Sequence, residues 1–222
     1  MLVGNLRASH EKLLAAPADM KPGILKAIDR EIEKGSQGRI IIKANAVTER
    51  ELIDKLEEAS CAGVQIDLII RGICCLIPGV PGKTENIIVT SIVGRFLEHS
   101  RIYSFGTGTH QQIYISSADI MTRNQTRRVE VACPVEDPEI RSWFNRYLQV
   151  LLSDNVKARR LMPDGNYIRV RSENSRPVSV QQYYLEHPEE LPVFSEEASG
   201  SPDGHRSLFP MGIFRKLFYT LK

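Results

Sequence analysis

No run of this 222-residue chain approaches the ~20 consecutive apolar residues that a membrane-spanning helix needs. The opening MLVGNLRASHEKLLAAP is not a secretory signal, because charges interrupt it before an apolar core can form, and the chain reads as cytoplasmic. Neither the Walker A pattern nor G-x-G-x-x-G occurs, which excludes both of those phosphate cradles. Cysteine is sparse: Cys61, Cys74, Cys75 and Cys133 are the only four. They show no zinc-like C-x-x-C spacing, the adjacent pair cannot readily bridge, and their apolar company predicts buried, reduced thiols. No His/Cys/Asp/Glu cluster has metal-ligand spacing, so no metal-ligating residues are expected; a required metal would be Mg²⁺ carried mainly by substrate phosphates. A strong excess of one charge is missing too, since the formal net charge is +2. Bulk electrostatics therefore does not recruit polyanions.

The charges are nonetheless segregated. Between residues 86 and 134 five arginines face three acids, whereas residues 162–205 carry eight acids and three arginines. The basic middle lacks an aromatic stacking stripe, so sequence-specific nucleic-acid reading is not expected. In KPGILKAIDREIEKG, residues 21–35, Ile24, Leu25, Ile28 and Ile32 recur at helical spacing. RIIIKANA from Arg39 is a β-branched strand run, and VQIDLIIRG from Val64 is another. The segment between them predicts a helix capped by Thr48, with Glu51 completing a capping box. Strand–helix–strand order implies a parallel pair with a right-handed crossover. Two Pro-Gly steps, at 78–79 and 81–82, mark a loop. Strand, short helical turn and strand are expected across IIVTSIVGRFLEHSRIYSF, then strands in QQIYISSAD and RRVEVACPV. A strong helix follows, with Ile140, Phe144, Leu148, Leu151 and Leu152 on one side, and NVKARRL closes as a last strand. Between Met162 and Pro202 lie five of the twelve prolines and little periodicity, which predicts a weakly ordered extension beyond Leu161. It ends in a short amphipathic helix bearing Phe214, Leu217, Phe218 and Leu221.

Ligands in open α/β sheets gather beyond the carboxyl ends of parallel strands. Arg71 stands there, directly after IDLII. Lys43 and Asn45, at the end of the first strand, add a cation and an amide. In FLEHSRIYSF, His99 can exchange a proton near neutrality and Arg101 can fork onto a phosphate; a histidine favoured by a helix C-terminus is the plainer reading of His99. SSADIMTRN supplies Ser117, Arg123 and Asn124 as further phosphate ligands, with Asp119 read as a turn cap. Arg127 and Arg128 are expected to open the next strand and so to face opposite sides. His10, His110, His187 and His205 receive no role.

The strings RIIIKANAVTERELIDKLEEAS, LIIRGICCLIPGVPGKTENIIVTSIVGRFLEHSRIY and YISSADIMTRNQTRRVEV resemble the last catalytic domain of bacterial polyphosphate kinases, over about residues 10–161. The resemblance implies an α/β fold: a phospholipase-D-like mixed sheet flanked by helices, with the irregular C-terminal extension appended. The domain would run over 21–161, after a linker at 1–20 and before the extension at 162–222. It implies reversible transfer of the ATP γ-phosphate to inorganic polyphosphate with Mg²⁺, and nucleotide contacts by Arg71 and His99. His99 would act in acid/base or phosphate-stabilising fashion, while the phosphorylated histidine lies in a preceding domain that this sequence does not contain. The chain alone should then show little or no kinase activity, being an excised domain, a truncated relative or the partner of a first catalytic half supplied by another chain, and a homo-oligomer is expected. Two local departures stand out: Ile120 where the family usually has tryptophan, and the unusual loop GTGTHQQ. Two other functions compete. One is a non-catalytic module binding phosphate or nucleotide. The other is a phospholipase-D-type phosphodiesterase pairing two His99 side chains, although Arg101 and Gly106 stand where H-x-K-x₄-D requires lysine and aspartate.

Overall fold

The computed structural model describes residues 12–170 and 176–190. Nine strands form one mixed sheet: β1 (Leu14–Ala16), β2 (Arg39–Ala44), β3 (Gln65–Ile70), β4 (Ile87–Ile92), β5 (Arg101–Phe105), β6 (Gln112–Ser116), β7 (Glu130–Pro134), β8 (Ala158–Leu161) and β9 (Tyr167–Arg169). Their spatial order is β1-β7-β6-β5-β2-β3-β4-β8-β9. Only β2, β3 and β4 run parallel; every other pairing is antiparallel.

Helices α1 (Met20–Ile32) and α2 (Arg50–Cys61) cover one face, and α4 (Pro138–Ser153) and α5 (Val180–Glu186) the other, with a single turn, α3 (Thr122–Thr126), between β6 and β7. Strand β2 shows why its run looks uniformly apolar. Ile40 and Ile42 pack with Ile24, Ile28, Leu52 and Leu56, while Ile41 packs with Ile69, Leu148 and Leu151 on the opposite face. A central strand buried on both sides has no polar face to show. Lys43 breaks the run, yet it is also buried, at 2% exposure.

Several expectations change here. The cap of α2 is Glu49, whose carboxylate accepts from Leu52 N at 2.8 Å, not Thr48. Residues 47–49 are held extended because Thr48 N and Glu49 N both donate to the Ile120 carbonyl, which delays the helix; Glu51 instead pairs with Lys21 at 2.6 Å. No helical turn forms between β4 and β5, where the Phe96 backbone is engaged by Gln181. Arg127 and Arg128 lie in the turn after α3, both amides bonded to the Arg123 carbonyl, so strand alternation does not govern them. The cysteines are free but not buried: Cys61, Cys75 and Cys133 are exposed and Cys74 is half-buried. Cys61 ends α2 beside the carbonyls of Gly82 and Lys83, a loop edge that apolar sequence company does not reveal.

The sheet also takes in residues on both sides of 21–161. β1 pairs with β7, β9 with β8, and α5 anchors through Val180, 2% exposed, in the core beneath α4. Residues 162–170 and 176–190 are thus part of the folded body, and their low periodicity reflects the shortness of β9 and α5. The amphipathic segment around Phe214 lies outside the described residues.

Candidate functional site

Strand register brings the chemistry-bearing residues to one edge. Ala44 pairs with Ile70 across the parallel β2–β3 ladder, so Asn45 and Arg71 emerge together. Antiparallel β5 begins at the same place, with Lys43 opposite Ile102, and Arg101 faces Ser116 of β6. Four segments (43–45, 71, 98–101 and 117–119) therefore converge beyond the carboxyl ends of the parallel strands, the position open α/β sheets favour for ligands.

Asp119 organises them. Its carboxylate accepts from Asn45 N at 2.6 Å, from Asn45 Nδ2 at 2.9 and 3.1 Å, and from Arg101 Nε and Nη2 at 3.3 and 3.0 Å. Arg71 Nε in turn donates to Asn45 Oδ1. Burial alone would raise the Asp119 pKa, but the bonds from Arg101 and Asn45 hold it below the usual carboxylate range. The expected turn-capping role is not found: α3 is preceded by Met121 and has no side-chain cap.

Behind this layer, Lys43 Nζ lies 3.1 Å from Glu98 Oε2 and donates to the Ser100 carbonyl. Burial pushes the ammonium's pKa down, and the Glu98 carboxylate opposes that. His99 is exposed at the rim. Arg101 Nη1 donates to its carbonyl at 2.9 Å and sits 3.2 and 3.3 Å from its two ring nitrogens. Partial burial and the neighbouring Arg101, Arg71 and Lys43 depress the imidazole pKa, against the pull of Asp119. These neighbours favour the neutral imidazole, which can donate from one nitrogen and accept at the other. The alternative of a helix C-terminal histidine is removed, because residues 93–100 contain no helix.

Lys43, Asn45, Arg71, His99 and Arg101 therefore form one group. The remaining candidates do not join it. Ser117 Oγ donates to Glu130 Oε2, Asn124 Nδ2 donates to Glu130 Oε1 at 2.8 Å, and Arg123 is exposed on α3, in neither cluster. Sequence reasoning missed Asp119 as the hub and Glu98 as the partner of Lys43. A lone Asp before a short helix is more often a cap, and nothing local marks a carboxylate as buried.

Three cations (Lys43, Arg71, Arg101) share this sheet edge with two carboxylates (Glu98, Asp119), which leaves an excess of positive charge there. Such an edge suits an anion with several oxygens. It does not suit a protein-held divalent metal. Both carboxylates are engaged by cations, and the described residues contain no group of three His, Cys, Asp or Glu able to hold one.

Comparison with known proteins identifies the family. The family described as "Polyphosphate kinase C-terminal domain 2" matches residues 13–181. A polyphosphate kinase of Staphylococcus epidermidis is 47% identical over 203 residues, covering 88% of this chain and 28% of that protein. The chain thus spans about a quarter of the length of the curated relatives it matches. The crystal structure of polyphosphate kinase from Porphyromonas gingivalis superposes with a TM-score of 0.78 at 42% identity, over 83% of this chain and 29% of that one. Nuc of Salmonella typhimurium, a phospholipase D family member, shares the fold with a TM-score of 0.51 at 15% identity, over 68% of this chain and 97% of its own. Sheet order, matched segment and sequence identity converge: the chain belongs to the polyphosphate kinase C-terminal domain 2 family, on a phospholipase-D-like α/β fold.

Proposed function

We propose that this chain carries the nucleotide- and phosphate-binding half of a polyphosphate kinase site, which transfers the ATP γ-phosphate reversibly to inorganic polyphosphate. The observation that carries this reading is the rim formed by Arg71, His99 and Arg101 around Asp119, with buried Lys43 behind it. Arg71 holds phosphate oxygens through its two Nη groups, aimed by the bond from its Nε to Asn45, and Arg101 through the Nη hydrogens that Asp119 and the His99 carbonyl leave free. His99, whose neutral form the neighbouring cations favour, takes up or gives a proton as phosphate oxygens change charge. Magnesium enters as a companion of the phosphates, since these residues offer it no free carboxylate. Ser117 and Asn124 are removed from direct phosphate contact because Glu130 engages both, and Arg123, exposed on α3, is not tied into the Asp119 group.

Positioning of donor and acceptor in line supplies most of phosphoryl-transfer catalysis, and half of a site cannot provide it. The nucleophile and the rest of the positioning come from elsewhere, in a longer polypeptide or a partner chain; a cytoplasmic setting follows from the ATP requirement. The test is calorimetric binding of Mg-ATP and of long-chain polyphosphate to the purified chain, beside Arg71→Ala and His99→Ala. Saturable binding weakened about tenfold by Arg71→Ala is expected, equivalent to about 1.4 kcal/mol. Polyphosphate synthesis by the chain alone should be absent. Binding indifferent to both substitutions, or robust turnover, overturns the proposal.

A further inference from the structure

The loop that presents His99 has little internal support. Residues 93–100 lie between β4 and β5 without regular structure, and Val93 and Leu97 are 65% and 70% exposed. A single backbone bond closes within it, from His99 N to the Leu97 carbonyl at 3.0 Å. Its ties to the body are side chains, and one comes from 85 residues away. The Gln181 side chain accepts from Phe96 N at 2.9 Å through Oε1, and through Nε2 donates to the Phe96 carbonyl and to Glu98 Oε1, each at 2.8 Å. The amide thus reads the Phe96 backbone as a neighbouring strand would, and in the same contact it orients the carboxylate that neutralises buried Lys43.

Gly94 is shaped to this contact. A Cβ there would collide with Gln181 Oε1 and lie 2.8 Å from its Cδ, so any side chain displaces the amide. The helix that carries Gln181 is fixed without help from the loop. Val180 is buried in the α4-side core, and its N donates to Asp154 Oδ2 at 2.9 Å. Asn155 is bonded to Val178 in both directions, and Trp143 Nε1 donates to the Glu190 carbonyl at 2.6 Å. Truncating Gln181 should therefore leave α5 in place and free only the loop.

We propose that Gln181 is a positioning residue for the anion site: from α5 it clamps Phe96 and Glu98, and so holds His99 and the Lys43–Glu98 pair in the arrangement that receives phosphate. This rests on the phosphate-binding reading of the same site, but part of its test is independent of any ligand. Gln181→Ala in the full chain is expected to speed hydrogen exchange of the Phe96 amide at least about tenfold, with amides of β2 and β3 unchanged. The imidazole resonance of His99 should titrate closer to its ordinary value, as the loop drifts from Arg101, Arg71, Lys43 and Asp119. All three Gln181 bonds are lost, but they act on the site only through the loop, so Mg-ATP affinity should fall roughly three- to tenfold, the net worth of about one hydrogen bond. Gly94→Ala should reproduce all three changes from the other side of the contact. Gln181→Glu, which keeps an acceptor for Phe96 N but loses both donated bonds, should not rescue them. Unchanged Phe96 exchange and unchanged His99 titration in both Gln181→Ala and Gly94→Ala overturn the clamp. If those two readouts move while the wild-type chain fails to bind ATP, the clamp stands and the nucleotide reading falls.

Discussion

Two carboxylates eleven residues apart each gather polar partners at the same sheet edge, with opposite outcomes. Asp119 accepts from Asn45 and Arg101, and through Asn45 steadies Arg71; with Lys43 behind, positive charge remains in excess. Glu130 accepts from Ser117 and Asn124, with the exposed Arg128 3.8 Å away, so the hydroxyl and an amide hydrogen are spent on the protein's own carboxylate. Both clusters contain residue types that a phosphate would choose. What separates them is which donors remain uncommitted after the protein has satisfied its own buried groups. A carboxylate that binds one guanidinium directly and steadies a second through an asparagine leaves the Nη groups of that second guanidinium uncommitted. A carboxylate that takes a serine's single O–H and an amide N–H closes the site on itself.

The largest consequence concerns Asp119. Asp119→Ala removes the acceptor for Arg101 and Asn45 together and should cost about 3 kcal/mol, because the residue is 7% exposed and its partners lose their counter-charge. Chemical denaturation at pH 7 measures this. The pH dependence gives a second signature. A carboxyl held below its unfolded-state pKa of about 4 contributes stability that is present above that value and lost as pH falls through the folded one. Asp119→Ala should therefore flatten the acid limb of the stability profile. A loss under about 1 kcal/mol with an unaltered acid limb would show that Asp119 does not organise this edge.

Much of this edge is legible in the sequence, and the illegible part has a common cause. β-branched runs and strand–helix–strand order place Lys43, Asn45 and Arg71 at one edge, because register follows from the parallel pair. Arg101 follows from the start of the next strand. The roles of Ser117, Asn124, Asp119 and Glu98 depend on pairings across 6 to 74 positions of chain, as between Asn124 and Glu130 or Asn45 and Asp119, and no local spacing encodes them. The tail was misleading for a related reason. α5 is seven residues long with one buried residue, too short for a periodic signature, yet it is fixed by Asp154, Asn155 and Trp143. The family resemblance identifies the domain, but the distinction between the two carboxylates rests on geometry.

Arg101→Lys sharpens the contrast with an intermediate effect. Charge is kept, but the fork that spans both Asp119 oxygens and reaches the His99 carbonyl is lost. Stability should fall by about 1 kcal/mol and Mg-ATP affinity by about tenfold, measured by denaturation and calorimetry. An affinity matching wild type would mean that only the charge of Arg101 matters, and that its fixed direction does not.

The smallest effects belong to the Glu130 side. Ser117 Oγ donates to Glu130 and accepts from Val131 N at 3.1 Å, so its one hydrogen is already placed. Asn124 is 4% exposed and directs an amide hydrogen to the same carboxylate. Recruiting either to a phosphate would require breaking a bond to a charged acceptor and leaving Glu130 facing an anion, which is unfavourable on both counts. Ser117→Ala and Asn124→Ala should each cost about 1 kcal/mol of stability and leave Mg-ATP and polyphosphate affinity within about twofold of wild type. If Ser117→Ala instead weakens polyphosphate binding as strongly as Arg71→Ala does, the bound polyanion must displace Glu130 from Ser117, and the two clusters work as one site once ligand is present.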